Sequence, residues 1–229
     1  MSATPSTKPA ASDTADNRDA PTRCRILEAA TALYAEHGFD NVSLRQITRA
    51  AGVNLASVNY HFGSKDNLAA EVIASRVNPI NRQRLDLLTS AEQLTDGEPV
   101  PLKAIVRAFL SPMFSFVASD PEAGPMNLKL MGRCMSQRDL PMSEASLPLF
   151  REVTRRYPDA VKRTLPDLPV EVIQWRMLFS VGVVAHAMLH ADLLNRITGG
   201  ASSRLDPDAV MQQAVDFCTA GLRASWQPD

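Results

Sequence analysis

The chain is short of the residues on which several classes of protein depend. Its three cysteines, Cys24, Cys134 and Cys218, are odd in number and far apart, and no Cys-x-x-Cys pair occurs. That pattern argues against a disulfide framework and a cysteine zinc site, and fits a reducing, cytosolic setting. Glycine is scattered: Gly182 and the pair Gly199-Gly200 stand alone, so no phosphate-cradling loop is spelled. Paired carboxylates and a Ser-His-Asp pattern are also missing, which leaves an enzyme without positive support and calls for no cofactor. The net charge is −1, so any affinity for nucleic acid must come from a local basic face. The greasiest run, Met177 to Leu189, is interrupted by Ser180 and His186. It falls short of the roughly 20 residues that a membrane helix needs and reads as a buried core helix. Residues 1–20 have no apolar segment of the kind a signal peptide needs, and they read as a disordered polar tail. No repeat and no strand-like alternation is visible.

What is present is helical periodicity, and the fold class it predicts is all-α. Ile26, Ala30, Leu33, Tyr34 and His37 share one face, with Thr22 as a candidate cap before them and Gly38 as a stop after them. Ser43 and Gln46 spell a capping box, with Val42 and Ile47 placed for a hydrophobic staple. Gly52 supplies a turn, Asn54 caps a short helix, and Ser64 caps a long one carrying Leu68, Val72 and Val77. After a polar loop containing Asp96, Gly97, Pro99 and Pro101, helices are expected near 101–118, 124–138, 142–164 and 169–198. A last one follows Asp206 and Pro207. The expected organisation is a tail over 1–20, a three-helix helix-turn-helix head over 21–66, and a helical domain for effector binding and dimerisation over 67–229.

The last two helices carry more apolar surface than one domain can cover. Val210, Ala214, Phe217, Cys218, Gly221 and Leu222 form one stripe. The preceding helix is apolar on nearly every face, with Ile173, Met177, Val181, Val184 and Met188 on one side and Leu178, Phe179, Val183 and Ala187 elsewhere. A helix apolar all round must be covered all round. A second copy of the chain is the simplest cover, giving a four-helix homodimer interface; a wholly intramolecular core is the plainer alternative.

The stretch Ser43–Leu68 has the size and punctuation of a unit that lays one helix in the DNA major groove. Helix Leu55–Phe62 would span about 10 Å at 1.5 Å per residue. Val58 and Phe62, four apart, should anchor it and leave Asn54, Ser57, Asn59, Tyr60 and His61 facing out. Asn and Ser exchange hydrogen bonds with base edges, and Leu55 and Ala56 suit a thymine methyl. Tyr60 and His61 can donate to phosphates. Lys65 adds charge at a helix N-terminus, where an anion is already favoured, and Thr22 and Ser43 mark two more helix starts. Arg45 can reach a base or the backbone. Any one of these alone would be an ordinary solvated polar residue; the argument rests on their conjunction.

These residues carry a family resemblance. From about Arg23 to Leu68, through ILEAATALYAEHGFDNVSLRQITRAAGV and VNYHFGSKDNL, the chain resembles the DNA-binding head of the TetR (tetracycline-repressor) family of transcriptional regulators. Many members have Tyr where this chain has Asn59, which bears on base preference. AGVNLASVNYHFGSK followed by NPINRQRL is similar to a branch that includes fatty-acid-responsive repressors. The resemblance implies a dimeric repressor on a near-palindromic operator, with recognition helices about 34–36 Å apart. It also implies a C-terminal cavity whose small effector weakens DNA binding.

Candidate linings of that cavity are Phe109, Met113, Phe114, Phe116, Met126, Leu130, Met131, Cys134, Phe150, Trp175 and Phe179. Met and Phe suit an adaptable apolar pocket, although the same stripe also describes plain core. The set is short of evident buried charge, which favours an apolar effector such as an acyl chain or an aromatic compound. His186 and His190 are four apart on one helix, as a metal pair would be, with Asp192 nearby. Polar contacts near a dimer seam are the simpler reading of that pair, and no metal is assigned. Two alternatives remain open: an all-α metal-binding protein or enzyme using His186 and His190, and a DNA-binding activator or architectural protein without ligand.

Overall fold

The computed structural model describes residues 13–118, 122–137, 139–201 and 206–227. Of the tail expected over 1–20, residues 1–12 lie outside the described residues. The rest is all-α: nine helices and no strand among the described residues. They are α1 (Asp13–His37), α2 (Leu44–Ala51), α3 (Leu55–Phe62), α4 (Lys65–Leu94), α5 (Leu102–Ala118), α6 (Gly124–Ser136), α7 (Leu147–Thr164), α8 (Val170–Ile197) and α9 (Pro207–Arg223).

Local chemistry accounts for most of these boundaries. Ser43 and Gln46 form a complete capping box: the Gln46 N–H donates to Ser43 Oγ (3.3 Å) and the Ser43 N–H to Gln46 Oε1 (2.8 Å). Gly52 ends α2 at φ +64°, a left-handed conformation that costs a Cβ-bearing residue strain. Asn54 caps α3 by accepting from the Ser57 N–H at 2.9 Å, and Ser64 caps α4 by accepting from the Asn67 N–H at 3.1 Å. At α9, Asp206 accepts from the Ala209 N–H at 2.8 Å, with Pro207 in the first turn. Thr22 departs from its expected role. The first helix begins well before it, carries Pro21 inside, and leaves Thr22 in the helix interior rather than at a cap.

Two apolar cores result. The head core joins Ile26, Tyr34 and Phe39 of the first helix and its following loop to Ile47, Val58, Phe62, Leu68, Val72 and Ile73. The body core gathers Leu88, Ile105, Leu110, Tyr157, Val161, Ile173, Val184 and Val215 from α4, α5, α7, α8 and α9. Helix α4 serves both. Leu68 to Ile73 face the head core, Ile80 to Leu88 face the body core, and Pro79 lies between the two sets. Proline cannot donate to the ladder, so α4 has one fewer internal hydrogen bond where the cores meet. Helix α6 is shared in the same way, because its Leu130 belongs to the head core.

Helix α8 is not the buried core helix that its composition predicts. By length and composition it could cross a membrane, and only 22% of its most apolar window is buried. Ile173, Met177, Val184 and Ala185 face inward, whereas Trp175, Leu178, Phe179, Leu193, Leu194 and Ile197 are exposed. Phe217 on α9 is exposed with them, although the sequence stripe groups it with buried Ala214, Cys218 and Leu222. A helix apolar on all faces gives no period by which to tell the covered side from the open one.

One buried polar atom in the head core invites a test. Tyr34 is fully buried against Phe39 (ring centroids 4.9 Å), and its hydroxyl has no hydrogen-bond partner among the described residues. Burial, with the Asp66 charge adding to it, pushes the phenol up to about 12. Leaving a hydroxyl buried and unpaired costs about 1 kcal/mol or more, so Tyr34→Phe is expected to stabilise the protein by about that amount. Urea unfolding checks it: the midpoint should rise with an unchanged slope, and a fall would show that the hydroxyl has a partner in solution.

Candidate nucleic-acid interface and effector cavity

The head presents α3 outward because Val58 and Phe62, on one face, are buried in the core. The opposite side is open: Asn54, Leu55, Ala56, Asn59 and Tyr60 are exposed, and Tyr60 most of all at 75%. His61 is half-buried and meets the Tyr60 ring edge-on, with centroids 5.0 Å apart. Ser57 is half-buried and donates its hydroxyl to Asn54 Oδ1 at 3.1 Å, so it is partly committed to the cap. Ser43 and Arg45 are exposed at the start of α2, and Lys65 is the first residue of α4. Ser43, Asn54 and Lys65 thus mark the starts of α2, α3 and α4, whereas Thr22 marks no helix start.

Thr22 still borders that surface. With Arg25, Thr48, Arg49, Gly52 and Asn54 it lines a shallow notch between α1 and the α2–α3 turn. Its hydroxyl accepts from Arg25 Nη2 at 3.5 Å. Arg25 and Arg49 are therefore cationic groups beside the N-terminus of α3 that sequence reasoning missed. In the sequence they look like ordinary solvated charges; only the crossing of α1 over the turn brings them together. Arg23 has a structural task instead. It donates to Glu71 Oε2 at 2.8 Å and covers the Phe62 ring at 5.2 Å, tying α1 to α3 and α4.

The body holds a partly open cavity of about 570 Å³, within the usual range for small-molecule sites. Seven of the proposed lining residues border it: Phe109, Met113, Phe116, Leu130, Met131, Cys134 and Phe150. Met126 does not, because it packs against the head core. Phe114 packs against the body core, away from the cavity. Trp175 and Phe179 lie outside it: each is 60% exposed, and their rings pair with each other at 5.9 Å on the outer face of α8. That helix contributes Gln174, Met177, Leu178 and Val181 instead, of which Gln174 and Leu178 are exposed. Burial pushes the Cys134 thiol up to about 11, so it is a neutral apolar liner.

The expectation of a lining without charge does not hold. Arg84 and Arg76 of α4 line the cavity, with Asn81 and Asn127. Arg84 is buried, donates Nε–H to the Phe109 carbonyl (2.8 Å) and Nη1–H to Asn81 Oδ1 (3.0 Å), and lies 4.3 Å from the centroid of the Phe109 ring. Burial pulls its guanidinium down to about 10, still charged at neutral pH. The signal was available in the sequence: Ile80, Asn81, Arg84, Leu85 and Leu88 recur at helical spacing.

Cavity and head share a wall. Ile73, Val77, Leu130, Cys134 and Leu140 border the cavity and also pack in or against the head core. Helix α6 is further tied to the end of the first helix. Arg133 Nη2 donates to the Glu36 carbonyl at 2.8 Å, and Lys129 pairs with the Glu36 carboxylate at 2.7 Å. That hydrogen bond from Lys129 holds the Glu36 carboxyl below its ordinary value.

His186 and His190 stack face to face, with ring centroids 4.2 Å apart, and His190 Nδ1 lies 3.1 Å from the His186 carbonyl. Among the described residues no third His, Cys, Asp or Glu joins them, Asp192 included.

A helix-turn-helix head joined to a hollow helical body defines a ligand-sensing class of regulator, and comparison with known proteins bears this out. Residues 26–72 match the model of the bacterial regulatory proteins of the tetR family, and residues 107–221 match the tetracyclin repressor-like C-terminal domain. The chain belongs to the TetR family of transcriptional regulators. The transcriptional repressor KstR of Rhodococcus jostii is 25% identical over 155 residues, covering 62% of this chain and 72% of that protein. Two solved structures share the fold. NalD of Pseudomonas aeruginosa, described as the secondary repressor of the MexAB-OprM multidrug efflux pump, has a TM-score of 0.60 at 21% identity, covering 92% of this chain and all of that one. PfmR of Thermus thermophilus has a TM-score of 0.57 at 17% identity, covering 90% and 98%.

The caps make a prediction about stability. Ser43→Ala removes the acceptor for the Gln46 N–H and should cost about 1 kcal/mol. Denaturant unfolding checks it, and a change under about 0.3 kcal/mol would mean that water or a neighbour replaces the cap.

Proposed function

We propose that this protein is a ligand-released repressor that binds a near-palindromic operator as a homodimer. Residues 21–66 would form the DNA-binding unit and residues 67–229 the effector-binding and dimerisation unit. The observation that carries the reading is the shared wall, which joins a small-molecule cavity to the core that orients α3. A protein interior is close-packed, so a molecule that alters the cavity's shape displaces that wall and with it the head. The helices of a dimer must match major grooves one DNA turn apart, so a shift of a few ångströms abolishes binding to both. The coupling is typically worth about 1–3 kcal/mol.

In this reading Asn54, Leu55, Ala56 and Asn59 meet base edges, with Arg45 able to reach a base or the backbone. Ser43, Ser57, Tyr60, His61 and Lys65 position the backbone. Thr22 joins them through the notch it shares with Arg25 and Arg49. The cavity residues Phe109, Met113, Phe116, Leu130, Met131, Cys134 and Phe150 hold the effector's apolar body. The similarity to the fatty-acid-responsive branch favours an acyl effector. The exposed face of Trp175, Phe179, Leu193, Leu194, Ile197 and Phe217 on α8 and α9 is what a partner copy would cover. That assignment gives α8 a protein neighbour instead of a membrane, and the site of action is cytoplasmic because DNA is there.

Two experiments test this. In gel shifts with the protein's own upstream DNA, Tyr60→Phe and Lys65→Ala should weaken binding to all sites alike, whereas Asn59→Ala should change the ranking of sites. Equal effects from all three would overturn the residue roles, and no salt-sensitive, sequence-specific shift would overturn the regulator. For the dimer, Phe179→Glu places a charge in the apolar seam and should yield monomers by light scattering, with operator affinity reduced about 100-fold or more. A variant that stays dimeric would move the interface elsewhere.

A further inference from the structure

The cavity wall holds a positive charge that has no ion-pair partner among the described residues. Arg84 is 8% exposed and lines the cavity, yet it makes no ion pair among the described residues. Two of its nitrogens are engaged, by a backbone carbonyl and an amide oxygen. The Phe109 ring offsets part of the charge. Beside it, Asn81 is 1% exposed, and its Nδ2 has no hydrogen-bond partner among the described residues. A buried charge without a counterion and a buried amide N–H without an acceptor are both costly, and both ask for the same thing: an anionic oxygen. The remainder of the wall is mostly apolar, with Arg76, Asn127, Thr154 and Gln174 as its other polar side chains.

We propose that the cavity takes an amphipathic carboxylate, with its hydrocarbon body against Phe109, Met113, Leu130 and Phe150 and its carboxylate against Arg84 and Asn81. This rests on reading the cavity as the effector site, and it narrows the effector from apolar to anionic at one end. The planar guanidinium matches a carboxylate geometrically, and the low-dielectric wall strengthens the pair. A cationic amphiphile is repelled, and a neutral one leaves the charge and the amide unpaired. Arg76 lies eight residues earlier on the same helix, about 12 Å along the axis, too far to share one small headgroup. Among the described residues its buried Nε–H is also without a partner, and so is Asn127 Oδ1 on α6. These two can engage polar atoms elsewhere on the ligand.

Calorimetric titration of the full chain without DNA tests the assignment. The probes are decanoate and hexadecanoate, their matching primary alcohols, and decyltrimethylammonium. The carboxylates should bind at least about tenfold more tightly than the alcohols, and the cation more weakly than either. Arg84→Met should erase that preference while leaving alcohol binding within about threefold. Asn81→Asp is nearly isosteric and places a counterion within reach of Arg84, so it should do the same in a folded protein even if Arg84→Met proves unstable. Equal binding of acids and alcohols, a preference that survives both substitutions, or no saturable binding of any carboxylate overturns the proposal. A separate gel shift keeps the two readings apart. Arg84-dependent carboxylate binding that leaves operator binding untouched would defeat the repressor-release reading alone. Carboxylate-insensitive release by another compound would defeat this one alone.

Discussion

The arrangement of this molecule depends on one packed wall. Ile73 and Val77 of α4, Leu130 and Cys134 of α6, and Leu140 just beyond touch the cavity on one side and the head core on the other. Had the head been built as an independent three-helix unit, the cavity could change shape without consequence for α3. Instead Leu130, 1% exposed, is one of the side chains completing the core on which α3 rests. Core side chains in close contact have nowhere to yield except by moving the elements that carry them. The contacts of Arg133 and Lys129 with Glu36 add a polar attachment between α6 and the end of the first helix. These contacts are exposed and individually weak, so the apolar wall carries most of the attachment.

The head was the more legible part because its structure is set by residues close together in sequence. A capping box, a left-handed glycine and an asparagine cap each act over three or four residues, so Ser43, Gln46, Gly52 and Asn54 can be read without knowing the fold. Val58 and Phe62 then orient α3 by their spacing alone. Reading failed where the deciding contacts are distant. Thr22 resembles a cap, but the helix runs on through Pro21. Arg25 and Arg49 become neighbours only when α1 crosses the turn.

The body was legible as helices but not as faces. Trp175 and Phe179 were reasonable cavity residues by type, and Gln174 was not. Yet the rotation of α8 turns Met177 and Val181 toward the cavity, keeps exposed Gln174 on its lining, and leaves the two aromatics outside it. On a helix apolar all round, composition carries no rotational information, and packing against α7 and α9 decides it. Arg84 shows the opposite error. A charged residue is usually at the surface, so the prior hid a guanidinium whose spacing with Ile80, Leu85 and Leu88 already placed it inside.

The same unpaired charge bears on how a site can be responsive rather than merely occupied. A cavity lined only by apolar groups accepts a ligand with little change in the polar bonding of its walls. Here Arg84 holds the Phe109 carbonyl on α5 and Asn81 on its own helix, while Tyr157 of α7 donates to the Arg84 carbonyl at 2.7 Å. Any anion that recruits the guanidinium competes with its bonds to the Phe109 carbonyl and Asn81, and so acts on α5 and α4 together. Its interaction energy then differs between the arrangement with Arg84 turned to the protein and the one with it turned to the ligand. That difference, not the affinity itself, is what can shift a population between two states of the head.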